Sequence, residues 1–114
     1  MKRLCFKVLS IAGVVAGLAG CGTERELHDI CGVFRRLAAR ADLAELSAGE
    51  RMAYTQDRVR EVLSPFSKVE PLWDMVPASV AESRYRMFKQ GAEELLDREW
   101  HCAEMKRLAP TLTE

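Results

Sequence analysis

The sequence lacks any surplus of positive charge, because its 17 lysine and arginine residues are matched by 17 aspartate and glutamate residues. Proteins that bind nucleic acid neutralise phosphate groups with clustered basic side chains, so nucleic acid is not an expected partner. Glycine is also scarce beyond the N-terminal segment, since four of the seven glycines fall at or before Gly22. The sequence contains neither a glycine-rich phosphate loop nor a Gly-x-Ser-x-Gly nucleophile turn. We therefore expect that the protein is not an enzyme and that it carries no cofactor.

Long hydrophobic runs are missing as well. The longest, from Val8 to Gly20, is thirteen residues of small and apolar side chains broken only by Ser10, whereas a transmembrane helix needs about twenty. A basic start followed by a short apolar run is typical of a secretory signal peptide. The basic residues here are Lys2, Arg3 and Lys7. We therefore predict a signal peptide over residues 1–20, whose removal leaves 14 basic against 17 acidic side chains.

The end of the apolar run, Leu18-Ala19-Gly20-Cys21, resembles the lipobox of bacterial lipoproteins at every position. The resemblance implies cleavage directly before Cys21, attachment of a diacylglyceryl group to its thiol, and acylation of its amino group by a fatty acid such as palmitate. Several acyl chains together anchor a protein stably in a membrane. In the enterobacterial members an Asp after the Cys retains the protein in the inner membrane, and here that place is taken by Gly22. The resemblance therefore favours the periplasmic face of the outer membrane in a bacterial cell envelope.

The four cysteines divide into two that the signal accounts for and two that remain. Cys5 leaves with the signal peptide and Cys21 carries the lipid, so Cys31 and Cys102 are an even pair in an oxidising compartment. We predict that they form a disulfide, the alternative being two buried free thiols. A bridge of this span contributes roughly 4 kcal/mol by the chain-entropy model.

The mature chain places apolar residues at helical spacing and shows no alternation with a period of two, which indicates an all-α fold. The S/T-x-x-E spacing of a helix capping box occurs at Thr23 to Glu26, Ser47 to Glu50 and Ser79 to Glu82. We predict a small helical bundle of three main helices and one or two short ones, stapled by the disulfide. Its helical domain covers residues 24–109, after a minimal tether at residues 21–23 and before a flexible tail at residues 110–114.

The segment between Pro71 and Pro77 interrupts the helical pattern. Two prolines six residues apart argue against a long helix, so we expect a loop or a single short turn here. Its centre is strongly apolar, and two interpretations stay open. The segment either caps the core of the bundle, or forms an anchor for a protein partner, since exposed Trp and Met are common at interfaces. The candidate partner-binding residues are Leu72, Trp73, Met75 and Val76.

Two histidines accompany the cysteine pair. His28 lies one helical turn before Cys31 and His101 directly precedes Cys102, so both imidazoles fall near the bridge if the cysteines meet. Two His and two Cys are possible zinc or copper ligands. Their spacing matches no metal motif and an oxidised pair offers no thiolate, so we predict no metal site and keep His28 and His101 only as weak candidates.

Together these patterns predict a lipid-anchored protein of the bacterial envelope that acts by contact with another envelope protein. An accessory or pilot subunit of an envelope assembly fits this description. The alternatives are a periplasmic stress or metal-handling protein that uses the His and Cys residues, and an immunity lipoprotein that blocks a toxin.

Replacement of the predicted lipid acceptor tests the reading of the N-terminus. We expect Cys21→Ser to abolish signal cleavage and to change the fractionation of the protein, because the sulfur atom is the site of lipid attachment. Gel mobility and separation of membrane from soluble material measure both effects. If processing and fractionation are unchanged in the variant, the chain is not a lipoprotein.

Overall fold

The computed structural model describes the backbone of residues 14–112 and the side chains of residues 22–112. The basic start of the predicted signal peptide and the thiol of Cys21 lie outside the described residues. Within residues 14–112 the chain forms five α-helices, joined by loops and short 3-10 turns, and no strand. The helices are α1 (Val14–Ala38), α2 (Ala48–Val62), α3 (Glu70–Ala78), α4 (Arg84–Leu96) and α5 (Ala103–Leu108). Three longer helices and two short ones confirm the predicted all-α bundle.

Helix α1 is the element around which the others pack, and it contacts α2, α4 and α5. Its apolar stripe is fully buried from Leu27 through Leu37 at steps of three and four. The predicted capping box at Thr23 is wrong, because the helix is already continuous there. In the full-length chain the N–H groups of this turn bond to carbonyls one turn earlier and need no capping hydroxyl. Residues 21–23 also lie within this helix in the full-length chain, and the tether predicted for the cleaved chain stays a prediction.

Helix α2 begins as the sequence predicts. The Ser47 hydroxyl accepts a hydrogen bond from the Glu50 N–H at 3.0 Å, and the Glu50 carboxylate accepts one from the Ser47 N–H at 2.8 Å. This reciprocal pair is a capping box. The helix ends at Val62, three residues before Pro65. Thr55, which interrupts the apolar stripe, is nevertheless buried, because its hydroxyl donates to the Arg51 carbonyl at 2.7 Å.

The segment between Pro71 and Pro77 is helical, so the prediction of a loop or single turn is wrong. Pro71 occupies the first turn of α3, where a backbone N–H has no partner in the helix. Pro77 lies in the last turn, one residue before the helix ends at Ala78, so it removes one hydrogen bond without breaking a longer element. A nine-residue helix therefore contains both prolines, one in its first turn and one in its last.

Helix α4 crosses α3 at a glycine. A Cβ atom added to Gly91 would lie 2.3 Å from Cδ1 of Leu72, so a larger residue would force Leu72 to move. This close packing accounts for a glycine in a helix interior, where it costs about 1 kcal/mol relative to alanine. The predicted capping box at Ser79 is absent, because its hydroxyl donates to the Met75 carbonyl at 2.6 Å and terminates α3 instead.

The centre of the core is an aromatic row. The ring of Trp73 lies edge-on between those of Phe34 and Phe88, with centroids 6.2 and 6.3 Å away. All three side chains are almost completely buried. Such edge-to-face pairs contribute about 0.5–1.5 kcal/mol each beyond the burial of their area. One residue each from α1, α3 and α4 thus ties three helices together.

The disulfide joins Cys31 to Cys102, with Cα atoms 5.8 Å apart, and confirms the predicted pairing. It links the middle of α1 to the residue before α5. Helix α5 has only six residues, and an isolated helix of that length is unstable in water. Its position therefore depends on the disulfide and on the burial of Met105 and Leu108 against the core.

The chain remains packed beyond residue 109, so the predicted flexible tail at residues 110–114 is wrong at least as far as Leu112. A 3-10 turn, Ala109–Thr111, follows α5, and Leu112 is buried. The cause is Arg84, a buried residue whose guanidinium donates to the carbonyls of Ala109 at 2.9 Å and Leu112 at 2.6 Å. It also donates to the Ser79 carbonyl at 3.2 Å. The guanidinium of Arg84 thus bonds to the carbonyls of Ala109 and Leu112 in the last turn of the fold and to the Ser79 carbonyl after α3.

Replacement of this arginine tests its structural role. We expect Arg84→Leu to lower the free energy of unfolding by about 2–4 kcal/mol, because the carbonyls of Ala109 and Leu112 lose their donor while staying buried. Arg86→Leu is the matched control, since Arg86 is exposed, and its effect should stay within about 0.5 kcal/mol. Urea denaturation followed by circular dichroism measures both. Equal effects of the two substitutions would contradict the assignment.

Candidate functional site

A groove of about 280 Å³ runs beside the disulfide, between α1 and the segment that links α4 to α5. We call it the disulfide groove. Cys31 lines it, which places the bridge at its edge. The other residues that line it include Glu24, His28 and Arg35 from α1, and Arg98, Trp100 and His101 from the linking segment. The groove therefore gathers charged, imidazole and indole groups from two elements that the disulfide holds together.

The linking segment has a fixed conformation. Asp97 ends α4 in the left-handed region, with φ of 59°, and its N–H donates to the Glu93 carbonyl at 2.7 Å. The N–H of Trp100 donates to the Glu93 carboxylate at 3.1 Å. The Lys89 ammonium, which also donates to this carboxylate, and then the Trp100 N–H hold the pKa of Glu93 below its ordinary value. Glu93 therefore stays ionised near neutral pH and anchors the turn that presents Trp100.

The indole of Trp100 forms an apolar wall of the groove. Its ring lies 5.5 Å from that of Phe88 and 6.4 Å from that of Tyr85, measured between centroids. The Tyr85 hydroxyl accepts a hydrogen bond from the N–H of Cys102 at 3.0 Å. These contacts leave Trp100 half-buried, so part of the indole remains available to a ligand while the rest packs on the core.

The charges around the groove are mixed. The guanidinium of Arg98 donates to Glu24, and that of Arg35 lies 3.8 Å from the Glu104 carboxylate. Both arginine side chains are more than half exposed. Exposed ion pairs of this kind contribute little to stability, so their partners exchange readily for a carboxylate of another molecule. The arrangement suits recognition of an acidic and aromatic or apolar peptide segment.

The sequence predicts that both histidines lie near the disulfide, and in the structure His28 and His101 both line the disulfide groove. Each is exposed and has a local partner: His28 Nδ1 lies 3.5 Å from Asp29, and His101 Nε2 lies 3.5 Å from Glu99. Neither belongs to the one group of potential metal ligands in the described part of the chain, Cys31, Cys102 and Glu104. The two sulfur atoms of that group are bonded to each other, so in the oxidised protein neither is a thiolate that a metal ion binds.

The four residues named as a partner-binding candidate do not form one surface. Trp73 and Val76 are buried at 0% and 2% exposure, and Leu72 packs half-buried on Gly91. The indole N–H of Trp73 is satisfied inside the protein by Gln56, at 2.7 Å. Met75 alone is exposed, at 46%. Of the two interpretations of this segment, the structure places Trp73 and Val76 in the core.

The contacts of the Glu26 carboxylate are not predicted by the sequence. Glu26 lies on the apolar face of α1, one turn before Ile30, and its carboxylate accepts hydrogen bonds from the Ser64 N–H at 3.0 Å and from the hydroxyls of Ser64 and Ser67. It thereby holds residues 63–69, which we call the Glu26 loop. An acidic residue within an apolar stripe indicates that its carboxylate has a partner in the fold. The sequence does not show which partner, because Ser64 and Ser67 lie about forty residues away.

Within residues 14–112 no helix combines the length and the apolar character that crossing a membrane requires.

Replacement of Trp73 tests its place in the core. We expect Trp73→Ala to lower the free energy of unfolding by roughly 3–5 kcal/mol, because it removes the central ring of the aromatic row and leaves a cavity. Met75→Ala is the matched control in the same helix, with an effect of about 0.5 kcal/mol or less. Thermal and urea unfolding measure the difference. A Trp73→Ala variant with native stability would contradict the core role of Trp73 and favour its role in partner binding.

Comparison of the chain with protein-family models, with curated proteins and with solved structures gives no match. No relative therefore supplies a function or a set of site residues.

Proposed function

We propose that this chain is a lipoprotein of the bacterial envelope, anchored through Cys21, that binds another envelope protein through the disulfide groove. The anchor rests on the lipobox resemblance of Leu18 to Cys21. The observation that carries the binding role is the groove itself, which is lined by a half-buried Trp100 and two half-exposed arginines on a disulfide-linked frame. Tryptophan and arginine are the residues most enriched at interface hot spots.

The groove lies close to the proposed anchor. Glu24 follows Cys21 by three residues of α1, which is about 4.5 Å along the helix axis, and Arg35 follows by fourteen, about 21 Å. A partner in this groove therefore lies within about 20 Å of the lipid head groups. This favours a membrane protein or another anchored subunit as the partner, as expected for an accessory or pilot subunit of an envelope assembly.

The chemistry of the groove indicates what the partner offers. Each arginine presents a planar fork of N–H donors that matches a carboxylate. The exposed part of the Trp100 ring offers an apolar contact in the same groove. A short peptide segment with an acidic side chain next to an apolar one complements this arrangement. Because the frame is fixed by a disulfide, little conformational entropy is lost on binding.

A photo-crosslinking experiment in cells tests the proposal. p-Benzoylphenylalanine replaces His101, an exposed residue of the groove, or Asp57, an exposed residue of α2, as the control. We expect the His101 position to give a discrete adduct in the membrane fraction that the Asp57 position does not give. Mass spectrometry of the adduct identifies the partner and the crosslinked segment.

A second substitution links the adduct to the chemistry of the groove. Arg35→Ala should reduce its yield by about tenfold or more, as loss of an interface hot spot does. Arg36→Ala is the matched control, because Arg36 is the exposed neighbour that does not line the groove, and it should leave the yield unchanged. Adducts of equal yield from both probe positions, or none from His101, would contradict the proposed binding site.

A further inference from the structure

Phe66 is the most exposed large apolar residue among the described side chains, with 98% of its surface accessible. It is also one of two non-glycine residues there with a positive φ, at 63°. An aromatic residue in the left-handed region is strained, and such strain persists where the surrounding structure enforces it. In the folded chain this strain is not compensated by burial of the ring.

The exposure of Phe66 comes from a well-held loop. Glu26 is 8% exposed and accepts three hydrogen bonds from the residues on either side of Phe66, namely Ser64 and Ser67. The Ser67 hydroxyl oxygen also accepts the N–H of Val69 at 2.9 Å, and Val69 is completely buried. The loop is therefore anchored on both sides of Phe66, and the phenyl ring is held in solvent by the fold.

The loop is held against the part of α1 that follows Cys21, the proposed lipid attachment site. Glu26 follows Cys21 by five residues of α1, about 7.5 Å along the helix axis. The only charged side chain of the Glu26 loop is Lys68, which is exposed. The loop thus places one fully exposed aromatic ring and one cation beside the lipid attachment point.

We propose that Phe66 inserts into the interface of the lipid bilayer beside the Cys21 anchor, while Lys68 faces anionic head groups. This inference rests on the proposed lipidation. Aromatic rings are stabilised at the boundary between head groups and acyl chains, and a cation near the surface is attracted to anionic lipids. Insertion supplies the apolar contact that the ring lacks in the protein. A second point of attachment also fixes the rotation of the domain about its anchor and so the direction in which the disulfide groove faces.

Fluorine NMR on the whole lipoprotein tests this inference. The mature chain contains three phenylalanines, of which Phe34 and Phe88 are buried in the core and serve as internal controls. The protein is labelled with para-fluorophenylalanine, extracted from membranes and reconstituted into bilayers of phosphatidylethanolamine and phosphatidylglycerol. The Phe66→Leu variant identifies the resonance of residue 66. Relaxation is measured with a nitroxide near the top of the lipid chains, and separately with a water-soluble gadolinium chelate.

We expect the lipid nitroxide to relax the Phe66 resonance several times more strongly than those of Phe34 and Phe88, with little effect of the chelate. Val80→Phe is the matched control. Val80 is exposed and precedes the first residue of α4. Arg98 follows the last residue of α4 and pairs with Glu24, near Cys21. The added ring therefore lies at the end of α4 that is far from the proposed anchor. That added ring should respond to the chelate and hardly to the nitroxide.

The outcomes separate this inference from the proposed function. A lipidated protein whose Phe66 resonance responds to the aqueous chelate, or to neither probe because the ring is covered by protein, overturns the inference alone. An intact mass that shows an unmodified Cys21 overturns the lipid anchor and the inference with it.

Discussion

The Cys31–Cys102 disulfide is the constraint on which the rest of the structure depends. It joins residues 71 positions apart and holds a six-residue helix that has no stability of its own against the middle of α1. Because Cys102 is fixed, the linking segment before it is fixed too, and with it Trp100 beside α1. The bridge therefore holds the linking segment beside α1 and forms one edge of the disulfide groove.

Two buried charged residues, Glu26 and Arg84, hold further parts of the chain in place besides the disulfide. Glu26 accepts three hydrogen bonds from Ser64 and Ser67, and Arg84 donates three to backbone carbonyls, two of them on the buried residues Ala109 and Leu112. Glu26 of α1 holds the Glu26 loop, and Arg84 of α4 holds the last 3-10 turn of the fold. Each charged group is satisfied by neutral polar partners, an arrangement in which loss of the charged residue leaves buried groups unpaired. The aromatic row of Phe34, Trp73 and Phe88 lies in the apolar core that α1, α3 and α4 share.

The sequence predicts the all-α class, the cap of α2 and the disulfide, because each rests on local spacing or on a count of cysteines. Helix α3 was missed because two prolines usually end a helix, and only their positions in its first and last turns show that a short one fits. The Glu26 loop and the contacts of Arg84 join residues that are distant in the chain, and no local pattern reports such pairs. Trp73 illustrates the same limit, since its burial depends on rings contributed by α1 and α4. The meeting of His28 and His101 at one groove did follow from the sequence, because each adjoins a cysteine of the predicted pair.

The central proposal is that this chain is a lipidated domain held at a membrane surface, in addition to carrying the Cys31–Cys102 disulfide. Intact mass measurement of the protein extracted from membranes, with alkylation before and after reduction, tests it most directly. We expect a chain that begins at residue 21, carries a diacylglyceryl group and an added fatty acid on Cys21, and takes up two alkyl groups only after reduction. A chain that retains its first twenty residues, or whose Cys31 and Cys102 are alkylated without reductant, would contradict it.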